Sequence, residues 1–410
     1  MKPKILWNAK DHPCLNSGYG LITRHLTPLL SKRYEVIIYA PVYQKDHIGR
    51  YQKMLVLPGT KPDYGEELIL NHYREHGCNA LIMVGDMWPV VRSDLPKLAA
   101  AEEVYWIQWG AVDYLPPWPN FILEGLRYCH KIVPFSQWGE GKLREYGFTN
   151  VAPAIWPGLD TKLWKPYPRN NFPKVASSLG FEEDSFRILI VAANQGRKNF
   201  PEHFEGIRLF RQKNPEVKIK LYVHSTIKGD RNLIDDLHYF QLADMTRIAD
   251  EYTVACGAYS EEHMVMMFAS ADVVVAAALE GYGFATVQAQ AVGVPVITLN
   301  EGASQELTHG GILIPPKDWS MEISNIKKAV PNEMAIATGL EEIWRRGPDR
   351  ARWSKGAEWV AANLDWERHV APQWYQLLDR CFEEKKRQCW SVPEPSKRLN
   401  KQARAIVEVV

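Results

Sequence analysis

A chain of 410 residues is more than one ordinary hydrophobic core organises, and it predicts two domains. Its 46% hydrophobic and 24% charged residues exclude disordered, collagen-like and coiled-coil classes. With 49 Lys+Arg against 48 Asp+Glu the net charge is +1, so the broad basic field of a dedicated DNA binder is missing.

No apolar run approaches the ~20 residues of a membrane span. The opening MKPKILWNAKDHP is broken by Asn8, Lys10 and Asp11 and has no signal-peptide core, so the cytoplasm is the expected location. The six cysteines, Cys14, Cys78, Cys129, Cys256, Cys381 and Cys389, form no CxxC pair and no metal spacing with histidine, which predicts reduced structural thiols. The 15 tryptophans suit core filling, and also stacking on sugars or bases.

Short apolar runs alternate with helical patterns along the chain, the signature of α/β folding on parallel sheets. In the first half the expected strands are 4–9, 35–41, 79–85, 103–110, 131–136 and 151–158. Between the first two, Leu21, His25, Leu26, Leu29 and Leu30 recur at helical spacing over 20–33. This half reads as one doubly wound domain over 1–165. A polar stretch punctuated by Pro166, Pro168 and Pro173 reads as a linker over 166–186. A second alternating set follows at 187–194, 218–225, 272–278, 295–300 and 311–316, giving a second such domain over 187–365. The helix over 366–384 places Val370, Trp374, Leu377, Leu378 and Cys381 on one face. The remainder, 385–410, lacks periodicity and reads as a loosely held tail.

Ligands of open parallel sheets bind beyond the carboxyl ends of the strands, so the loops there carry the chemistry. In AAALEGYGFATVQAQAVG an apolar strand ends at Leu279, Glu280 with Gly281 and Gly283 makes a turn, and a helix starts near Phe284. Free N–H groups and a helix terminus at such a turn suit a phosphate. Glu280 can accept hydrogen bonds from sugar hydroxyls. The same residues also suit a plain tight turn with a solvated Glu. After the strand RILIVAAN, adjacent Arg197 and Lys198 form a candidate clamp for a diphosphate.

The run from Ala255 to Pro316 resembles the donor-binding half of retaining glycosyltransferases of the GT-B fold, family four. Ser260, Glu262, Ala271, Asp272, Glu280, Gly281, Gly283, Gly293, Pro295, Val296, Ile297, Glu306 and Pro315 fall in register with that family. Arg197-Lys198-Asn199 looks like its basic donor-phosphate loop, and residues 154–166 are similar to its hinge. The segment beginning SGYG at Ser17 resembles its Gly-rich loop, helix and second strand. The resemblance covers roughly residues 1–382 and is strongest over 255–316.

That resemblance implies a retaining, front-face transfer of a sugar from a UDP- or GDP-sugar to a hydroxyl acceptor. It implies a donor site built from Gly18, Tyr19, Gly20, Arg197, Lys198, Tyr259, Glu280, Gly281, Tyr282, Gly283, Phe284, Ala285 and Gln288, and a final helix that crosses back onto the first domain. Two positions depart from the family. Gln288 stands where a second Glu usually meets the ribose, and a neutral amide still bonds a hydroxyl. Trp156-Pro157-Gly158 replaces the usual Pro-His-Gly, so no hinge histidine is expected. No Asp-x-Asp occurs, so Arg197, Lys198 and the helix at Phe284 are expected to carry the leaving diphosphate with neither metal nor cofactor.

The acceptor side is expected from Ser17–Gly20, from Asp86-Met87-Trp88 and from Gln108–Asp113. Asp86 and Asp113 are the candidates for positioning or deprotonating an acceptor hydroxyl, though either suits a loop cap. His25 reads as a helix-face residue. Trp88, Trp109, Trp118 and Trp138 suit packing or stacking. A dinucleotide oxidoreductase fits poorly, because Gly18-Tyr19-Gly20 lies about ten residues beyond the first strand. A phosphorylase-like or epimerase activity, a noncatalytic nucleotide-sugar binder, and transfer to a modified DNA base remain alternatives. The last is supported by the basic residues of 383–404.

Overall fold

The computed structural model describes residues 2–41, 48–59, 65–87, 93–322, 326–347 and 353–386. The chain forms two units. The first comprises residues 1–113, 117–158 and 366 onward, and the second comprises 114–116 and 159–365.

The first unit holds a seven-stranded sheet of β1 (Lys4–Ala9), β2 (Glu35–Ala40), β3 (Gly49–Tyr51), β4 (Met54–Pro58), β5 (Ala80–Val84), β6 (Trp106–Gly110) and β7 (Lys131–Pro134). Its order is β3-β4-β2-β1-β5-β6-β7, parallel except for the β3–β4 hairpin. Its central strands are almost wholly buried, as near-continuous apolar runs require when helices cover both faces. The stretch 151–158, expected as a strand, makes only one bridge, Ile132 to Val151, beside β7. Pro153 and Pro157 have no N–H to continue a ladder.

The C-terminal helix Ala371–Lys386, preceded by a wide turn over Trp366–Val370, belongs to this first unit. Trp374 is fully buried, edge-on to Trp7 and Trp109 with ring centroids 6.5 and 4.9 Å away. Tyr375 donates to the Leu29 carbonyl at 2.7 Å, Tyr34 donates to Asp379 at 2.7 Å, and His25 stacks on Trp366. Removing the indole in Trp374→Ala should cost about 3–5 kcal/mol.

The second unit holds β8 (Phe186–Val191), β9 (Ile219–His224), β10 (Thr246–Ile248), β11 (Val273–Ala276), β12 (Val296–Leu299) and β13 (Gly311–Ile314). They form a parallel sheet in the order β10-β9-β8-β11-β12-β13. The strand order reverses between β8 and β11, and in doubly wound sheets the carboxyl ends at such a switch point are where ligands bind. A hairpin of β14 (Pro316–Met321) and β15 (Lys327–Pro331) stands apart from this sheet.

The stretch read as a linker, 166–186, is part of this second unit. Arg169 makes a two-pronged ion pair with Asp272 at 2.5 and 2.8 Å and donates to the Glu183 and Ser185 carbonyls, while Pro173–Ser178 forms a short helix. The proline punctuation is there, but the arginine fork fastens the segment to the start of β11.

Candidate donor site at the switch point of the second sheet

β8 ends at Val191, and the chain turns through Gly196–Lys198 into the helix Phe200–Lys213. Asn199 joins the two with φ 53°, a left-handed conformation that Asn tolerates better than most side chains. It is held there by its buried amide, which donates to the Ala277 and Ala329 carbonyls at 3.4 and 3.2 Å. The bend sends the two preceding cations toward the end of β11. There Lys198 Nζ pairs with Glu280 Oε1, and Arg197 Nη1 lies 3.4 Å from Glu280 Oε2. The carboxylate is 18% exposed and Lys198 12%.

Burial alone would raise the Glu280 carboxyl, but Lys198 and then Arg197 outweigh it and hold it below the usual carboxylate range. The pair is therefore ionised at neutral pH, with two positive groups facing one negative.

The turn after Glu280 follows from its glycines. Gly281 is buried, Gly283 has φ 89° and opens the helix Phe284–Ala291, and Gly302 has φ 71°. A Cβ on Gly302 would stand 2.8 Å from the Glu280 carbonyl, which accepts from Ala303 N at 2.9 Å. Tyr282 is buried edge-on to Phe284 at 5.0 Å, and burial raises its hydroxyl well above the usual range. Phe284 and Ala285 are half-buried in the first turn of the helix, and Gln288 is buried one turn further.

Thr286 was not among the expected site residues. Its hydroxyl is buried without a partner beside Gly283, at a helix start where an anion could accept from it. A Thr two places after a Gly-Phe helix start is the signal that could have found it.

At the end of β9, His224 packs edge-on to Tyr259 at 4.8 Å, and Tyr259 lies 5.0 Å from His263. Burial, then the neighbouring His263, pushes His224 down to about 4. The structure thus brings together Arg197, Lys198 and Glu280 where β8 and β11 end, next to the Gly281–Ala285 turn; Gln288 follows in the helix that this turn opens, and Tyr259 packs on His224 at the end of β9.

The acceptor-side candidates lie in the first unit. Gly18, Tyr19 and Gly20 form the first turn of the helix Gly18–Leu30, whose cap is Ser17 accepting from Gly20 N at 3.0 Å. A Cβ on Gly20 would stand 2.2 Å from the Leu15 carbonyl, so close packing alone requires that glycine. Tyr19 donates to Asp86 Oδ1 at 2.6 Å, placing Asp86 at the end of β5 beside the helix start. Asp113 is buried beyond β6. Trp109 and Trp118 are core residues, the latter stacked on Tyr146, and Trp138 is half-buried. Trp88, Cys389 and the tail from 387 onward, including most of the basic residues of 383–404, lie outside the described residues.

Among the described residues the five cysteines are free, and no group of three or more His, Cys, Asp or Glu converges. No helix among them is long and apolar enough to cross a membrane. A cavity of about 500 Å³ lined by Arg169, Phe186, Asp272, Trp344 and Trp353 opens at the amino ends of the same strands, away from the switch-point loops.

Two doubly wound units in tandem, with the last helix returned to the first, define the class as GT-B. Residues 188–330 match the family described as glycosyl transferases group 1. That match bears out the resemblance read from residues 255–316, and the fold is the GT-B fold of the solved structures the chain resembles. Among curated proteins it is similar to a D-inositol 3-phosphate glycosyltransferase of Paenarthrobacter aurescens (strain TC1), 29% identical over 229 residues, which is 54% of this chain and 49% of that one. A protein of the same description from Pseudarthrobacter chlorophenolicus is 25% identical over 236 residues, 55% of this chain and 49% of the relative. The chain therefore spans about half the length of the curated relatives it matches. Among solved structures it shares its fold with Anabaena HepE in complex with UDP and glucose, with TM-score 0.69 at 13% identity over 92% of this chain and 100% of that one. A glycosyltransferase from Rickettsia africae ESF-5 has TM-score 0.66 at 14% identity over 93% and 99%.

Proposed function

We propose that the protein is a retaining glycosyltransferase that moves a sugar from a nucleoside-diphosphate sugar to a hydroxyl acceptor. The observation that carries this is the convergence of Arg197, Lys198 and Glu280 at the switch point of β8 and β11, beside a glycine turn that opens a helix. The leaving diphosphate gathers negative charge in the transition state. Two cations and the N–H groups at a helix start are matched to it, and they need no movement when the charge develops. Glu280, freed from part of its ion pairing as the diphosphate takes the cations, would hold donor hydroxyls and align the sugar for front-face attack.

Gln288, four residues into the same helix, would meet the ribose, and Tyr259 would contribute from the β9 side. Asp86 and Asp113 are proposed for the acceptor hydroxyl, with Asp86 oriented by Tyr19. With two fixed cations in place and no Asp-x-Asp in the sequence, the proposed reaction runs without a metal. UDP is the favoured nucleotide, since the structural neighbour HepE is described in complex with UDP and glucose. A cytoplasmic location is proposed with it.

The test is a panel of UDP- and GDP-sugars scored by thermal shift, followed by mass spectrometry of transfer products across glycan, lipid and nucleic-acid acceptors with and without EDTA. Donor-dependent mass gain that survives EDTA is expected. Nucleotide-sugar binding with neither transfer nor hydrolysis on any acceptor would instead make the protein a binder.

A further inference from the structure

The Gly196–Lys198 turn closes on itself through Lys198 N to the Gln195 carbonyl and Asn199 N to the Gly196 carbonyl, at 3.0 and 3.3 Å, and it is also held from outside. Its first residue is gripped from two sides. Gly196 N donates to Asp230 Oδ2 at 2.8 Å, and the Gly196 carbonyl accepts from Lys328 Nζ at 2.6 Å. Lys328 comes from β15 and is paired at 2.9 Å with Glu322, at the other side of the hairpin. Both side chains are largely buried, at 14% and 22% exposure.

The fit is tight, because a Cβ on Gly196 would stand 2.8 Å from the Glu322 carboxylate. Asn199, at the far end of the turn, is tied to the same strand through its bond to the Ala329 carbonyl. Strand β14 is otherwise mostly exposed. The hairpin thus contributes little burial of its own on that side, yet it touches both ends of the segment that carries the two cations.

We infer that the β14–β15 hairpin is a clamp for the basic loop and that Lys328, through its bond to the Gly196 carbonyl, is a positioning residue for Arg197 and Lys198. This rests on the donor-site reading for its consequence but not for its mechanics. A buried ammonium paired to Glu322 and bonded to one backbone carbonyl gives the loop a single register. Without it, Gly196 keeps its bond to Asp230 but loses the side-chain hold on its carbonyl, and the cations sample more positions than the diphosphate can use.

The experiment uses the full chain as Lys328→Met and Lys328→Arg, with Lys198→Met alone and combined with Lys328→Met. Amide hydrogen exchange is followed over residues 195–199, and UDP binding is measured by calorimetry. Lys328→Met is expected to speed exchange of that segment by about tenfold while segments in β8 and β11 stay protected. Its UDP affinity should fall by about fivefold in the wild-type background, and by less than about twofold when Lys198 is already removed. Lys328→Arg, which keeps a buried cation, should restore most of the protection and the affinity, so a general packing defect would show as failure of this rescue and would overturn the inference.

Unchanged exchange over 195–199 in Lys328→Met overturns the clamp. An equal loss of UDP affinity in both backgrounds overturns the claim that Lys328 acts through the loop. If the unsubstituted protein binds neither UDP nor GDP, the donor-site reading fails, and the exchange measurement still decides the clamp.

Discussion

Lys198 and Glu280 lie 82 positions apart in the chain and meet as an ion pair where β8 and β11 end side by side. In the free protein the carboxylate therefore occupies the cations that a diphosphate would claim. On the proposed donor reading, binding is an exchange of partners and not the filling of an idle positive site, which sets opposite expectations for binding and for chemistry.

Glu280→Gln should release Arg197 and Lys198 from a competing anion, so free UDP should bind as tightly as in the wild type or tighter. Transfer should slow all the same, because the group that aligns the sugar is weakened. Lys198→Met should lower both, with a barrier increase of about 2–4 kcal/mol. Calorimetry with UDP and single-turnover rates with the productive donor separate the two effects. Weaker UDP binding in Glu280→Gln together with an unchanged rate would reverse the assignment.

Gln288 is buried in the helix that Gly283 opens. Gln288→Glu places a charge there and should change nucleotide affinity or the preference between UDP and GDP more than the chemical step. Competition binding with both nucleotides, set against single-turnover rates, gives the comparison.

Gly302→Ala should be costly for two reasons that add, its φ of 71° and the 2.8 Å approach of the new Cβ to the Glu280 carbonyl. A loss of about 1–3 kcal/mol in urea unfolding is expected. Activity should fall further than stability, because the strain falls on the backbone of Glu280. A variant with wild-type stability and rate would show that the turn relaxes freely.

Three buried imidazoles make stability fall in acid. Burial, with Lys198 nearby, pushes His203 down to about 4. Burial, with His263, does the same to His224, and burial with Lys385 and Lys131 takes His130 to about 3. Below the ordinary value of 6.5 the unfolded chain binds protons that the folded rings refuse, so stability drops as pH falls from 6.5 toward 4 and is retained above 6.5. His203 alone should contribute about 3 kcal/mol across that window. Urea midpoints from pH 7.5 to 4.5 should slope accordingly, and His203→Gln should flatten part of the slope.

The parallel strands were readable because runs such as ILIV in β8 and VVV in β11 are apolar on both faces, and the Glu280 turn because its glycines interrupt such a run. The hairpins were not. β3–β4 turns at Gln52 with φ 52° and has neither Gly nor Asn to announce it, while the mostly exposed β14, Pro316–Met321, shows no hydrophobic alternation. Lys328 and Glu322 escaped notice for the same reason, since single charges in a polar stretch read as solvated surface. Asp86 could be placed in its loop from sequence, but its bond to Tyr19, 67 positions away, depends on the order of β1 and β5 in the sheet.

The indole cluster of Trp7, Trp109 and Trp374 has a consequence for synthesis. Two of its members are made early, and the third belongs to a helix that ends at Lys386. A nascent chain carries residues 159–365 of the second unit complete before the first unit has its closing helix. The second unit is therefore able to fold first on the ribosome, while the earlier-made sheet waits with Trp7 and Trp109 uncovered. That interval is set by the time taken to translate some two hundred residues between the two parts of one core.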